Sequence, residues 1–218
     1  MTERIAVALE TTPKKTFATA VDWPGWSRSG KSAELALEAL VAYATRYRPI
    51  ADAAGEVLPT DLTVEVVETA GGGSGTEFGV PSRVTDADRR PTSAADGDRL
   101  ARLVRAAWDR FDRTAAAAPA ELRKGPRGGG RDTAKMVGHV VEADHAYARE
   151  IGLRVRPSSP ADGDAIEAMR AAILDVLRQP SDGSPLADRK WTARYAAGRI
   201  AWHALDHAWE IEDRTERA

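Results

Sequence analysis

Two histidines four residues apart are the first sign of chemistry in this chain. His203 and His207 fall in the stretch Ala201-Trp202-His203-Ala204-Leu205-Asp206-His207-Ala208-Trp209. On a helix that spacing puts both imidazoles on one face, with Cβ atoms about 6 Å apart, close enough to reach one divalent ion. A third histidine, His139, lies within the apolar stripe Met136, Val140, Ala143 and Tyr147 of another helical segment. Such a stripe faces the interior, so His139 is the candidate third ligand. His145 follows His139 by six residues, about 240° round the helix, and is expected to point elsewhere as a surface or loop-contacting histidine.

Three neutral imidazoles leave a divalent ion its full charge and a coordination position open to water or substrate. An ion so held lowers the pKa of a bound water or thiol, and nitrogen ligands suit zinc, nickel or iron. The chain contains no cysteine. Disulfides, thiolate zinc sites and cysteine nucleophiles are therefore excluded, and any thiolate must come from a small molecule.

Glu142, Asp206 and Glu210 lie near the histidines along their helices. Each is able to orient an imidazole through its second nitrogen or to supply an acid/base group. Asp206 reads as a solvated helix charge. For Glu142 both readings stand, and it is the one candidate catalytic residue. Trp191, Trp202 and Trp209 share a side of the last helix, a pattern that belongs to a core more often than to a ligand pocket. Gly128-Gly129-Gly130-Arg131 reads as an interhelix turn or as a holder of an anionic group at the next helix start.

The elements that must position these residues follow from periodicity and punctuation. Ile5, Val7 and Leu9 alternate with smaller or polar residues, and a second run, Phe17 to Val21, follows Thr11-Thr12-Pro13-Lys14-Lys15, which reads as a β-hairpin. After the turn Asp22-Trp23-Pro24-Gly25-Trp26, residues 32–47 carry Leu35, Leu37, Leu40, Val41 and Ala44 at helical spacing, with Ser32 as cap, and residues 62–67 return as a strand. The expectation is a small ββαβ unit over residues 1–70. Ala70-Gly71-Gly72-Gly73-Ser74-Gly75-Thr76 opens a linker over 71–94, expected to cross as an extended segment. It lacks the Lys or Ser/Thr opening a helix that a phosphate cradle needs.

Residues 95–218 carry four helical patterns. Leu100, Leu103, Val104, Ala107, Trp108 and Phe111 mark the first, and the Met136 stripe, capped at Asp132 or Thr133, marks the second. Ile166, Met169, Ile173 and Leu177 mark the third, and the last runs from about residue 190 to 214 with two apolar strips, which suits a bundle helix touching two partners. The fold class expected is thus α+β: the ββαβ unit followed by four packed helices.

Composition bounds the partners. The 218 residues carry a formal net charge of −2, which gives no electrostatic footprint for nucleic acid or an anionic membrane. No apolar run reaches the roughly 18 residues of a spanning helix, and the first residues lead into a strand pattern rather than a signal peptide. A cytoplasmic protein acting on a small-molecule substrate is expected, with a homodimer left open. The basic residues are 25 Arg and six Lys, a usage that points to a GC-rich bacterial genome.

Two resemblances add to this reading. Phe17-Ala18-Thr19-Ala20-Val21-Asp22-Trp23-Pro24-Gly25-Trp26 with Ser32-Ala33-Glu34-Leu35-Ala36-Leu37-Glu38-Ala39-Leu40 resembles the HicB-like small α/β fold over about the first 70 residues. That likeness implies either an RNA-directed or toxin-binding module or an accessory domain packed on its neighbour, and the acidic balance favours the second. Residues 95–218 resemble the DinB/YfiT-like up-down four-helix bundles, on Gly129-Gly130-Arg131-Asp132-Thr133-Ala134-Lys135-Met136-Val137-Gly138-His139 and His203-Ala204-Leu205-Asp206-His207. This second resemblance implies a metal site of His139, His203 and His207 facing an open pocket. Related families include transferases and isomerases that use bacillithiol or mycothiol. In the mycothiol-dependent isomerase branch a glutamate ligand precedes the final histidine; His203 stands there in this chain, so it looks more like the three-histidine version. The function implied is a metal-dependent thiol transferase or hydrolase, and the competing class is a non-catalytic interaction or scaffold protein with a HicB-like partner-binding domain.

Overall fold

Strand β1 (Glu3–Thr11) buries Ile5, Val7 and Leu9 on one face and Ala8 and Glu10 on the other, since successive residues alternate sides and both sides are covered. It pairs antiparallel with β2 (Thr16–Ala20) through the register Val7↔Ala20 to Thr11↔Thr16. A short third strand, β3 (Ser27–Gly30), adds to β2, and β4 (Leu62–Gly71) lies parallel to β1, giving the order β3-β2-β1-β4. The computed structural model describes residues 3–124 and 130–215. Residues 125–129 lie outside them, so the anion-holding reading of the Gly128–Arg131 turn falls partly outside the described residues.

The expected ββαβ unit is present with two additions. β3 has no apolar alternation to announce it, because Ser27-Arg28-Ser29 sits at the sheet edge and takes its pairing from β2. The single expected helix is two, α1 (Ala33–Ala42) and α2 (Ala44–Ala53), meeting at Tyr43 and continuing through Pro49. Ser32 caps α1 by accepting from the Leu35 N–H. Trp26 anchors this layer: it is fully buried, its indole donates to the Leu40 carbonyl at 2.9 Å, and it stacks on Tyr47 at 5.3 Å. The Tyr47 hydroxyl in turn donates to the Pro24 carbonyl at 2.8 Å.

Residues 71–94 wrap against the sheet. A short helix, α3 (Ser74–Phe78), and a 3-10 turn, Ala87–Arg89, interrupt the expected extended crossing. Buried Glu10 holds the segment, accepting from the Thr76 hydroxyl, from the Ser82 N–H at 2.9 Å and from the Arg83 N–H at 3.1 Å.

The four expected helices are α4 (Ala94–Ala117), α5 (Thr133–Glu150), α6 (Gly163–Arg178) and α7 (Ala193–Arg214). α4 packs on α6 and α7, and α5 packs on the same two. No described helix is long and apolar enough to cross a membrane. The sheet layer and the helices share one apolar core, from Ile5 and Val7 through Trp26 to Trp108, Ile200 and Trp209. Arg28 pairs with Asp206 at 2.8 Å and Arg46 with Glu212 at 2.7 Å across the same junction.

The two layers come close together at Gly25, whose φ of +91° suits glycine. A Cβ there would lie 2.8 Å from Leu205 Cδ1 and 3.0 Å from the Ala201 carbonyl carbon. Gly25→Ala is therefore expected to destabilise the protein by about 2–4 kcal/mol, summing left-handed strain and overpacking. Urea denaturation measures it, and a loss below about 0.5 kcal/mol, the usual surface value, would mean that the turn does not seat on α7.

Candidate metal centre

α7 is the helix that both layers grip. Thr192 caps it by accepting from the Tyr195 N–H at 3.3 Å, and alanines at 196, 197, 201, 204 and 208 are buried along it, allowing neighbours close approach. Trp202 and Trp209 face the N-terminal layer, meeting Phe17 at 6.1 Å and Tyr43 at 5.0 Å between ring centroids. Both are buried, as the core reading expected. His203 and His207 face α5 instead, where His139 stands.

The three histidines meet. One ring nitrogen from each of His139, His203 and His207 lies within 4.8 Å of the others, and His203 Nε2 is 3.2 Å from His139 Nε2. Two imidazoles on one tetrahedral ion at about 2.0–2.1 Å would hold their nitrogens about 3.3–3.4 Å apart, so this pair is already near ligand spacing. His207 Nδ1 is 3.1 Å from Glu210 Oε2, which leaves its Nε2 lone pair for a metal. Arg214 donates to the other oxygen of Glu210 at 2.9 Å. Glu210 is thus the flanking carboxylate that orients an imidazole. His203 Nδ1 is buried with no hydrogen-bond partner among the described residues.

Electrostatics disfavours the charged form of two of the donors. Burial, and then the neighbouring His207 and Arg199, push His203 down to about 2. Burial and Arg131 lower His139. Burial and the Arg214 guanidinium act oppositely on Glu210, whose carboxyl is held below its usual range chiefly by the hydrogen bond to His207. An all-nitrogen donor set fits zinc, nickel or iron better than magnesium or calcium.

The walls are aromatic and cationic. Tyr147 meets the His203 ring edge-on at 5.6 Å, Trp191 lies 5.2 Å beyond it, and Arg199 stands over Tyr147 at 5.2 Å. Arg199 precedes His203 by one helical turn, which is the only sign of it in the sequence. Glu142 is exposed and is not among the residues whose ligand atoms gather there. Asp206 is the ion-pair partner of Arg28 rather than a free helix charge. His145 stays apart from the cluster, as its helical phase expected, and contacts a loop: its Nε2 accepts from the Ser158 N–H at 3.1 Å. It is buried, because residues 151–162 fold back over it.

A neutral, buried histidine makes stability depend on pH. The folded His203 pKa lies below the unfolded value near 6.5, so its contribution is present above pH 6.5 and lost as pH falls toward the folded value. Metal-free protein is expected to lose up to about 1.4 kcal/mol per pH unit from this one proton below pH 6.5. Comparing chemical denaturation of wild type and His203→Gln at pH 7.5 and 5.5 isolates it; parallel losses in the two proteins would contradict it. Compared with protein-family profiles, curated proteins and solved structures, the chain matches none.

Proposed function

We propose that the chain is a divalent-metal-dependent enzyme of the DinB-like superfamily, a thiol S-transferase or hydrolase in which the metal activates a low-molecular-weight thiol or water. The observation that carries the reading is the convergence of His139, His203 and His207 from two helices, their ring nitrogens within 4.8 Å of one another and the His139–His203 pair near ligand spacing. On this reading α4–α7 form an up-down bundle of DinB type, and the sheet layer is a HicB-like accessory unit.

Bound zinc, nickel or iron would supply Lewis acidity and a lowered pKa for the activated thiol or water. The chain's own residues do the rest: three imidazoles hold the ion, Glu210 fixes the His207 tautomer, and Tyr147 and Trp191 wall the site. Glu142, exposed one turn beyond His139, stays the acid/base candidate at the rim. The absence of cysteine leaves a free thiol such as mycothiol as the sulfur source.

The test is cobalt substitution followed by mycothiol. Thiolate binding is expected to add a sulfur-to-cobalt absorption band, lost in His207→Ala. A cobalt-loaded protein whose spectrum ignores small thiols would contradict the transferase branch and leave water as the activated group.

One observation favours a second reading, an interaction protein whose sheet layer binds a partner. β4 is an edge strand that leaves Val66 and Val67 exposed, with a bulge in its pairing opposite Val7 and Ala8, and such an edge is a template for another chain. A partner or a second copy retained by wild type and released by Val67→Lys would support it, and a monomer retaining nothing would oppose it.

A further inference from the structure

On another face of α7 from the histidines lies a small cleft, about 60 Å³ in volume, between β1–β2 and the helix. The strand alternation makes it: Ala8 and Thr19 are paired in register and are small, so the sheet face opposite Ile5, Val7 and Leu9 does not fill the space up to Trp202. Val21, Trp23, Pro24 and Leu100 add apolar walls.

The polar groups of this cleft are unevenly satisfied. Glu10 accepts from Thr76, Ser82 and Arg83, and Asp88 accepts from the Thr85 N–H and hydroxyl, both at 2.8 Å. Arg194 donates to the Arg90 and Pro91 carbonyls. What remains are donors: Arg199 carries a buried guanidinium nitrogen, and Trp202, 5 % exposed, a buried indole N–H, each without an acceptor among the described residues. Arg199 is held in place over the Trp202 ring at 4.7 Å and the Tyr147 ring at 5.2 Å. Buried donors without acceptors are rare and call for a ligand or water that supplies them. Arg194 is ion-paired with Asp22 at 3.6 Å, whereas Arg199 makes no ion pair among the described residues, so the missing acceptor is favoured as an anion.

We propose that this cleft binds a short-chain carboxylic acid, its carboxylate accepting from Arg199 and Trp202 and its short apolar body lying against Ala8, Thr19, Val21 and Leu100. A volume of about 60 Å³ limits that body to a few carbons, and the apolar walls suit it. The inference does not depend on a metal at the histidines.

The experiment uses full-length protein with propionate, butyrate, propionamide and inorganic phosphate as probes, read by calorimetry and by the shift in Tm. The acids are expected to bind saturably, with propionamide and the Arg199→Gln variant each weakening binding about tenfold or more, as loss of a charge-assisted bond does. Trp202→Phe, which removes only the N–H and keeps an aromatic ring, is expected to weaken propionate about threefold or more, and it decides the matter if Arg199→Gln fails to fold. His207→Ala is expected to bind propionate as wild type does, which separates this cleft from the histidine site. Absence of saturable binding by either acid overturns the proposal, as does propionamide or phosphate binding as tightly as propionate. Loss of binding in His207→Ala with retention in Trp202→Phe overturns it as well.

Discussion

His207→Ala is expected to weaken zinc binding by more than a hundredfold, measured by competition with a chromophoric chelator at pH 7.5, because two remaining imidazoles no longer define a site. Glu210→Gln is expected to cost less, about 10–100-fold, since it removes only the carboxylate that orients His207 through Nδ1. The order of the two effects matters as much as their size. Glu142→Gln, at an exposed position outside the cluster, is expected to leave affinity within about twofold, below what loss of an outer-shell partner costs. A metal-saturated wild type gains stability by mass action, about 2.7 kcal/mol at a hundred times Kd, and His207→Ala is expected to forfeit that rise in Tm. Equal zinc affinity in wild type and His207→Ala would remove the three-histidine site from the account.

The second large effect concerns the group that holds the helices in register beneath the site. Arg170 on α6, 3 % exposed, donates to Asp112 of α4 at 2.6 Å and approaches Asp144 of α5 at 3.4 Å, while its guanidinium lies 5.0 Å from the Trp108 ring centre. The Trp108 indole donates to the same Asp144 at 3.3 Å. Three helices are thus joined through one buried cation, five residues along α5 from His139. Arg170→Met is expected to destabilise the protein by about 3–5 kcal/mol, because it leaves a buried carboxylate without its partner. The double variant Arg170→Met/Asp144→Leu is expected to recover most of that loss, since removing both charges removes the uncompensated one. Burial outweighs Arg170 and raises Asp144 to about 7. Its folded pKa therefore exceeds the unfolded one near 3.9, and its contribution is full below about pH 4 and lost as pH rises through the folded value. This is opposite in sign to His203, and Asp144→Asn removes it. A loss below about 1 kcal/mol in Arg170→Met, the range of exposed pairs, would mean that the pair is solvated.

The four long helices were legible because local rules agree over them. Each carries an apolar stripe at helical spacing, and Pro119, Pro157, Pro160, Pro180 and Pro185 lie in the intervening segments. The histidine cluster was legible for the same reason: His139 shares a stripe with Met136 and Val140, and His203 and His207 share one with Ile200 and Ile211. What escaped depends on partners distant in sequence. β3 is polar and exists because β2 offers an edge. The segment 71–94 reads as a spacer by its glycines, but Glu10, more than 60 residues earlier, gathers it. Asp144 sits four residues after Val140, an interior phase that flags a buried carboxylate, yet nothing local names Arg170 as its partner. The cleft beside Trp202 is set by Ala8 and Thr19 on strands facing α7, so a tryptophan that reads as core by spacing also lines a cavity.

The most direct measurement is the metal content of the full-length protein purified without chelator and, in parallel, after reloading with zinc, nickel or iron. About one divalent ion per chain is expected, since three histidines form one ligand set, with its loss in His203→Ala and His207→Ala. A folded wild type that holds no ion as purified and takes up none on reloading would contradict it.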